Sequence, residues 1–561
     1  MKKLTGFISL LVVLIVFSSC RQEQKIKNVI LLIPDGTSWA AVSTARWFQR
    51  YQTPDKQGLN IDPYLCGSIL TYCSNAPIGD SAPTTSCYMT GYPSLMDWVA
   101  TYPTADPKND IVPIDSTRAY QPLMTVLEAA RITQNKATGL VFTCEFPHAT
   151  PADCAAHSYR RGRYDWIAPQ MVHNGLDVVI GGGAGIIRDE DIQYLRGEGC
   201  GVFLNRIDSF RLYEGNRMWA LFKDRDMSFD IDRNPEEEPS LAEMTKVALS
   251  KLSQNKNGFF LMVEGSKIDW AAHSNDTRAI IEDMLAFDRA CGVALDFAAK
   301  DGNTLVVIVP DHGNSGISIG AERCPNYASL SKDSLFKSVS QYKTSINGLI
   351  KVLHNTKPDS IRDVMLDLTG IILTDEQYKE LLNCSDYKMN SLTDEQRMKG
   401  TSLSKKIGEM LVENTCFGYT THGHTGEEVF LAVYDPTPNR MTGHHTNIEL
   451  NHYLRHSLQL PQTLETLTDE HFAKHTDVFA GYKLDLEEKK IEDTTQVKAK
   501  HKEERFDVTL SVANGSNKLI VKPNTNIVNL NGKDIKMNTV TVYVDKNKTF
   551  YLPRSLAKLM E

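Results

Sequence analysis

Six apolar runs limit the fold of this chain more tightly than any other feature. They lie at 27–34, 138–143, 176–180, 258–263, 304–310 and 428–434, and each is dominated by Val, Ile, Leu or Phe. None alternates polar with apolar residues, so each reads as a strand covered on both faces. Helical spacing fills the gaps. Between 278 and 300, Ile281, Met284, Leu285, Asp288, Cys291 and Leu295 recur at steps of three and four, with no proline. Strand, helix and strand over 258–310 make a βαβ unit. Repetition of that unit predicts an α/β fold: a mostly parallel central sheet with helices on both faces.

Ligands of such sheets gather at the carboxyl ends of the strands. There the sequence places Asp35, Glu264, Asp311 and His312, and His148 and Thr150 closely follow the second run. Asp269 and His273 are four residues apart, one helical turn, so both can face one metal. With a third ligand, preferably histidine, they make a zinc site with one open position. Asp311-His312 suits a second zinc. Asp35, Thr150 and Glu264 offer the oxygen ligands that a hard cation such as magnesium takes. Two zincs about 4 Å apart form a clamp suited to in-line phosphoryl displacement.

Asp80-Ser81-Ala82-Pro83-Thr84 supplies a hydroxyl that such a clamp could activate. Pro83 suits the first turn of a helix, which puts Ser81 at a helix N-terminus, where backbone N–H groups favour anions. Each piece also has a plain structural reading. Asp80-Ser81 makes an ordinary helix cap, Asp311-His312-Gly313 a turn, and Asp269/His273 a surface helix pair. The glycines at 181–185 lack a following Lys-Ser/Thr and form no dinucleotide fingerprint, so they read as a strand-to-loop turn.

Taken in order, these residues resemble the alkaline phosphatase family. The matching stretches are Pro34-Asp35-Gly36, Asp80 to Thr84 with Thr90-Gly91, Ala149-Thr150-Pro151-Ala152 to His157 and Arg161, Val263-Glu264-Gly265 with Ile268-Asp269 and His273, Asp311-His312, and His424-Thr425-Gly426-Glu427-Glu428. The resemblance spans about residues 27 to 436. It implies hydrolysis of phosphate monoesters through a phosphoserine on Ser81, with two Zn2+ and one Mg2+. One zinc would be held by Asp269, His273 and His424. The other would be held by Asp35, Asp311, His312 and the Ser81 oxygen. Magnesium would take Asp35, Thr150 and Glu264. Arg161 would clamp the phosphate, and Asp80 would orient Arg161. Trp270 would lie by the phosphate, where relatives carry Lys or His. His148 stands where some relatives carry aspartate near the magnesium. The choice of His424 over His422 rests on the His-Thr-Gly match. Two rivals stand beside this reading: a phosphodiesterase or sulfatase on the same scaffold, and a surface binding protein that kept the metals.

Beyond the core of the motif set, residues 1–19 read as a signal peptide. Lys2 and Lys3 precede an apolar run that ends in Ser18-Ser19-Cys20, similar to a bacterial lipobox. An ordinary signal peptide with Cys20 incidental is the alternative. Either reading exports the protein, to the periplasm or cell surface, with a lipid on Cys20 anchoring it to the outer membrane in the first. The catalytic domain is expected over 20–485, with a partly helical insertion at about 314–420 over the active edge. A charged linker is expected over 486–505 and a small β module over 506–561. In that module two alternating stretches flank Asn531-Gly532, a hairpin signal. The formal charge of −8 becomes more negative once Lys2 and Lys3 are gone. It argues against nonspecific nucleic-acid binding and a general attraction to anionic membranes. The expected partners are small phosphate monoesters, a membrane through Cys20, and a second copy in a homodimer, with no nucleic acid as a specific partner. Ten cysteines follow Cys20. An exported chain permits them to pair, but spacing does not give the connectivity. No CxxC occurs, which argues against a site built on paired thiolates. Cys144 and Cys291 lie in apolar surroundings and read as buried small hydrophobes.

Overall fold

The computed structural model describes residues 25–56, 58–384, 386, 402–491 and 505–561. The signal peptide, Cys20 and most of the expected linker lie outside them. A ten-stranded sheet forms the centre. Its strands are β1 (Asn28–Ile33), β2 (Leu65–Leu70), β3 (Ala137–Glu145), β4 (Val178–Gly182), β5 (Gly201–Leu204), β6 (Met218–Phe222), β7 (Phe259–Glu264), β8 (Thr304–Ile308), β9 (Val429–Tyr434) and β10 (Gly443–Thr446). Their spatial order is β10-β2-β9-β8-β1-β7-β3-β4-β6-β5. All neighbours pair in parallel except β9, which is antiparallel to both β8 and β2.

The uninterrupted apolar runs have a direct cause. In β1, Val29, Leu31 and Ile33 pack into one core layer, and Ile30 and Leu32 into the layer on the opposite face. A strand buried on both sides has no position left for a polar side chain. Four further strands, β2, β5, β6 and β10, lie outside the six runs: β6 is fully buried, β2 is mostly half-buried, and β10 is half-buried to exposed.

Sheet order positions the site. β8, β1, β7 and β3 are consecutive neighbours running the same way, so Asp311, Asp35, Glu264 and the loop to Thr150 emerge side by side at one edge. β9 runs the other way, so its N-terminal end reaches that same edge. This explains why His424 precedes its strand while the other candidates follow theirs. The helix expected over 278–300 spans Thr277–Asp301. It is capped by Asp276, whose side chain accepts from the Ala279 N–H, and it ends at Gly302 with φ +74°.

The insertion is helical, with a small core of its own that includes Leu349, Met365, Leu381 and Ile407. Two short antiparallel ribbons tie its ends to the sheet, pairing Ser318–Ile319 with Phe417–Gly418 and Gly313–Asn314 with His424–Thr425. A disulfide between Cys324 and Cys416 closes the same base. Eight other described cysteines are free.

The linker expectation needs correction at its N-terminal end. Lys483–Ile491 is a strand paired antiparallel with Arg505–Asn514, and it forms the edge of a five-stranded sheet. The charges at 487–490 that read as a solvated linker belong to that edge, where they block pairing with a foreign strand. The next hairpin is as expected: Asn531 and Gly532, with φ of +52° and +86°, join Ile527–Leu530 to Lys533–Lys536. A separate strand, Thr549–Leu552, pairs with Ala473–Lys474, so the module is stitched to the domain before it.

Candidate active site

The helix α1 (Ser81–Thr90) is buried along its whole length. Asp80 occupies the cap position, but its side chain makes no capping bond. Instead its carboxylate accepts from Nη1 of Arg161 at 3.0 and 2.9 Å. Ser81 is the first helical residue, and its Oγ lies 3.4 Å from both Asp35 Oδ1 and His312 Nε2.

Two ligand clusters flank this hydroxyl. Asp35, Asp311 and His312 form one, fully buried. Asp269, His273 and His424 form the other, which opens to solvent through the His273 side chain, 40% exposed. In the second cluster the Nε2 atoms of His273 and His424 are 3.2 Å apart, and each lies 3.4–3.7 Å from an Asp269 oxygen. Ligands of one tetrahedral zinc, bonded at 2.0–2.2 Å, stand about 3.3–3.6 Å apart. The His422 carbonyl accepts from His273 Nδ1 at 2.6 Å, and its own Nδ1 donates to the His273 carbonyl at 3.0 Å, so its ring is turned away from the cluster's ligand atoms.

That contact is one of three of the same kind. His312 Nδ1 donates to the Gly313 carbonyl and His424 Nδ1 to the Gly79 carbonyl, each at 3.0 Å. In each ring Nδ1 is committed to a carbonyl and Nε2 is the nitrogen turned into the site, the orientation a metal ligand requires. Sequence spacing carried no sign of these carbonyls. It also missed Asn314, whose amide donates to Asp269 Oδ1 at 2.6 Å and fixes that carboxylate.

The electrostatics show a surplus of negative charge. Burial, then the charges of Asp311, Asp269 and Glu264, push Asp35 well above the usual carboxylate range. Burial likewise lifts Glu264 to about 7. Burial would raise Asp269 too, but the hydrogen bond and charge of His273 hold it below its ordinary value. Burial acts to lower His273; Asp269 outweighs it and raises the ring to about 9. Buried oxygens of Asp35, Thr150, Glu264 and Asp311 have no hydrogen-bond partner. Orphaned carboxylate oxygens are costly unless a cation meets them. The two histidine-containing clusters thus fit a zinc ion each.

Gly36 shows how closely the clusters are packed. It sits at φ +60°, its N–H donates to Asp311 Oδ1 at 3.0 Å, and a Cβ there would lie 2.3 Å from Asp269 Oδ1. Gly36→Ala is expected to lose roughly 1–2 kcal/mol from the left-handed backbone alone, and more from displacing Asp269. Calorimetry would check this; an unchanged thermal midpoint would contradict it.

Arg161 points its second nitrogen, Nη2, at His148 Nε2, 3.2 Å away. Burial and the adjacent guanidinium hold His148 neutral, down to about 3. Trp270 stands edge-on to His148, ring centroids 5.7 Å apart, and its face receives the Lys267 ammonium at 3.7 Å. Glu264 and Thr150 are fully buried close by. Apart from Cys20, which lies outside the described residues, the residues expected from the sequence lie together at one edge of the sheet.

The profile of the Alkaline phosphatase family matches residues 26–460. The chain belongs to the alkaline phosphatase family. It is 32% identical to alkaline phosphatase 3 of Bacillus subtilis over 443 residues, 76% of this chain and 88% of that one. It is 28% identical to the repressible alkaline phosphatase of Saccharomyces cerevisiae over 515 residues, 82% and 85% of the two chains. Its fold matches the alkaline phosphatase of Thermus thermophilus with a TM-score of 0.67 at 22% identity, covering 78% of this chain and 93% of the other. This phosphatase is a hydrolase of phosphate monoesters, and the edge just described carries groups of residues that could hold metal ions.

Proposed function

We propose that this alkaline phosphatase cleaves monoesters in two displacements through a phosphoserine at Ser81, with divalent ions bound at both histidine clusters, outside the cytoplasm. The observation that carries the reading is the position of the Ser81 hydroxyl, 3.4 Å from ligand atoms of the buried cluster and at the start of a helix. Zinc at the two clusters would supply the positive charge that lowers the pKa of the serine and of a water, and that balances the apical oxygens.

The chain's own residues set the geometry. Asp35 and His312 hold Ser81 Oγ, so an in-line attack expels the leaving oxygen on the side away from α1. The exposed His273 side gives that alcohol a way out and the second nucleophile, water, a way in. Arg161, held by Asp80 through Nη1, is placed to meet the non-bridging oxygens. Backbone N–H groups at the helix start face the same charge. In the first displacement the Ser81 proton ends on the departing alcohol's oxygen; in the second, water attacks phosphorus, the Ser81 oxygen leaves, and a proton of that water returns to it.

Replacement of Arg161 by lysine should lower kcat/KM by about 10- to 100-fold, mostly through KM. A point charge does not reproduce a planar fork, and a charged hydrogen bond is worth about 1.5–3 kcal/mol. Asp80→Asn should give a milder change of the same kind. Monoester against diester turnover tests the class of substrate. A diester presents one fewer charged oxygen to Arg161, so the monoester should turn over faster; the reverse result would refute the reading.

A third ion, magnesium on the family resemblance alone, would be held by Thr150 and Glu264 with Asp35. A variant of the alkaline phosphatase of the Antarctic bacterium TAB5 has Mg bound in its M3 site, which supports a third position. Export with a lipid on Cys20 is supported by the sequence of the first twenty residues, and the disulfide Cys324–Cys416 suits an oxidising compartment. A homodimer remains part of the proposal on the resemblance alone.

A further inference from the structure

Lys267 is a fully buried charge outside both ligand clusters. It is 1% exposed and opens the short helix Lys267–His273. Both circumstances work against an ammonium. Lysine is almost never fully buried unless it is paired, and a cation at a helix N-terminus meets the positive end of the dipole. Its Nζ donates to Asp226, whose side chain is 35% exposed. Replacing such a pair by apolar side chains of similar volume is often neutral or stabilising. Stability alone therefore does not account for the charge.

Its surroundings give another reason. Three residues apart, Lys267 and Trp270 share one face of the helix, while Asp269 and His273 share the next. Lys267 Nζ stands 3.7 Å from the centroid of the Trp270 ring and 5.0 Å from that of Phe229. A desolvated cation over an indole is among the stronger contacts of this class. Trp270 in turn meets the His148 ring at an interplanar angle of 68°. His148 Nε2 accepts from Arg161 Nη2 at 3.2 Å, and Asp80 accepts from Nη1 at 3.0 and 2.9 Å. The guanidinium is thus tied at both tips of its fork. Two ties fix its plane where one would leave it free to swing.

We propose that Lys267 is a positioning residue for Arg161, acting through Trp270 and His148. Asp226 anchors the ammonium, the ammonium pins the indole, the indole walls the imidazole, and the imidazole sets the direction of Nη2. A planar fork holds phosphate best through parallel N–H bonds, which requires its plane to be set beforehand. Loss of the charge at 267 should therefore weaken the hold on phosphate oxygens. It should leave the ligand clusters as they are, because Asn314 fixes Asp269 and the His422 carbonyl fixes His273. The proposal rests on the reading of Arg161 as the phosphate clamp, and it adds the residues that aim it.

Lys267→Met keeps the length of the side chain and removes its charge, and Asp226 is exposed enough to be solvated alone. In the metal-loaded full-length enzyme, KM for a phosphate monoester and Ki for inorganic phosphate should rise together by about 3- to 10-fold, with kcat within about twofold of the wild type. The same substitution in an Arg161→Ala background should change neither constant, because the path ends at Arg161. Unchanged KM and Ki in Lys267→Met would overturn the proposal. So would an equal rise in the Arg161→Ala background, the result that a general loosening of the site gives. Arg161→Ala with wild-type KM and Ki would sink the phosphate-clamp reading instead. Should Lys267→Met fail to fold, Asp226→Ala takes its place. An ammonium left buried without its counter-ion is driven from the indole, so the same rise and the same cancellation are expected, and unchanged constants refute the proposal.

Discussion

Ser81→Ala is expected to lower kcat for a phosphate monoester by about 10⁴-fold or more, the scale seen when a covalent nucleophile is removed from a preorganised site. The substitution deletes one oxygen. Asp311 and His312 keep their positions, because the Gly36 N–H and the Gly313 carbonyl, not Ser81, hold that carboxylate and ring. Folding and divalent-ion content should therefore match the wild type. Rapid acid quenching with a ³²P-labelled monoester should label the wild-type chain at Ser81 and leave the variant unlabelled. Activity within tenfold of the wild type would remove Ser81 from the mechanism. So would a labelled variant, which would place the phosphoryl group elsewhere.

Chelation should abolish activity, by about 10³-fold or more, and should also reverse how the fold responds to pH. Without cations, the folded chain holds protons on buried carboxyls that the unfolded chain has released. For Glu264 that window runs from its ordinary 4.5 up to about 7. Asp35 is shifted in the same direction. Unfolding then releases protons, so stability falls as pH rises through the window. His273, raised from 6.5 to about 9, extends the fall. Its charged form is stabilised by Asp269, and that contribution is complete below 6.5 and lost as pH passes 9. Bound cations replace these protons, and their affinity rises with pH. The gap in thermal midpoint between loaded and chelated protein should therefore widen from about pH 5 to about pH 9. Calorimetry at several pH values in EDTA and in zinc gives the answer. A gap that narrows with pH would contradict the assignment of these groups as cation ligands.

Much of the site was legible because its chemistry sits at the ends of strong patterns. Asp35, Glu264 and Asp311 each close an apolar run, and Asp269 and His273 share a helical turn. Ser81 was legible as a helix start, and the family resemblance alone gave Asp80 as a partner for Arg161. What escaped detection came from contacts between segments far apart in the chain. The carbonyls that orient the histidine rings belong to Gly79, Gly313 and His422, residues with no chemical signature of their own. Asn314 follows the Asp311-His312-Gly313 turn and carried no signal of its own. Cys144 read as a buried hydrophobe because it ends an apolar run; in space its thiol donates to Glu264 Oε2 at 3.3 Å. The linker was misjudged at 486–491 for the same reason, since an edge strand and a solvated coil carry similar charges.

The sequence by itself determined that this chain builds a mostly parallel sheet and aims acids, histidines and a serine at its carboxyl edge. Apolar runs covered on two faces admit no other arrangement, and short turns put polar groups where the runs stop. Only the tertiary structure shows which of those groups stand close enough together to share an ion. Strand order is set by crossovers of dozens of residues, and it alone places β8, β1, β7 and β3 side by side and turns β9 to bring His424 to the same edge. The donor set of each ion depends on that order, because ligation requires atoms within a few ångströms of one another, whatever their distance along the chain.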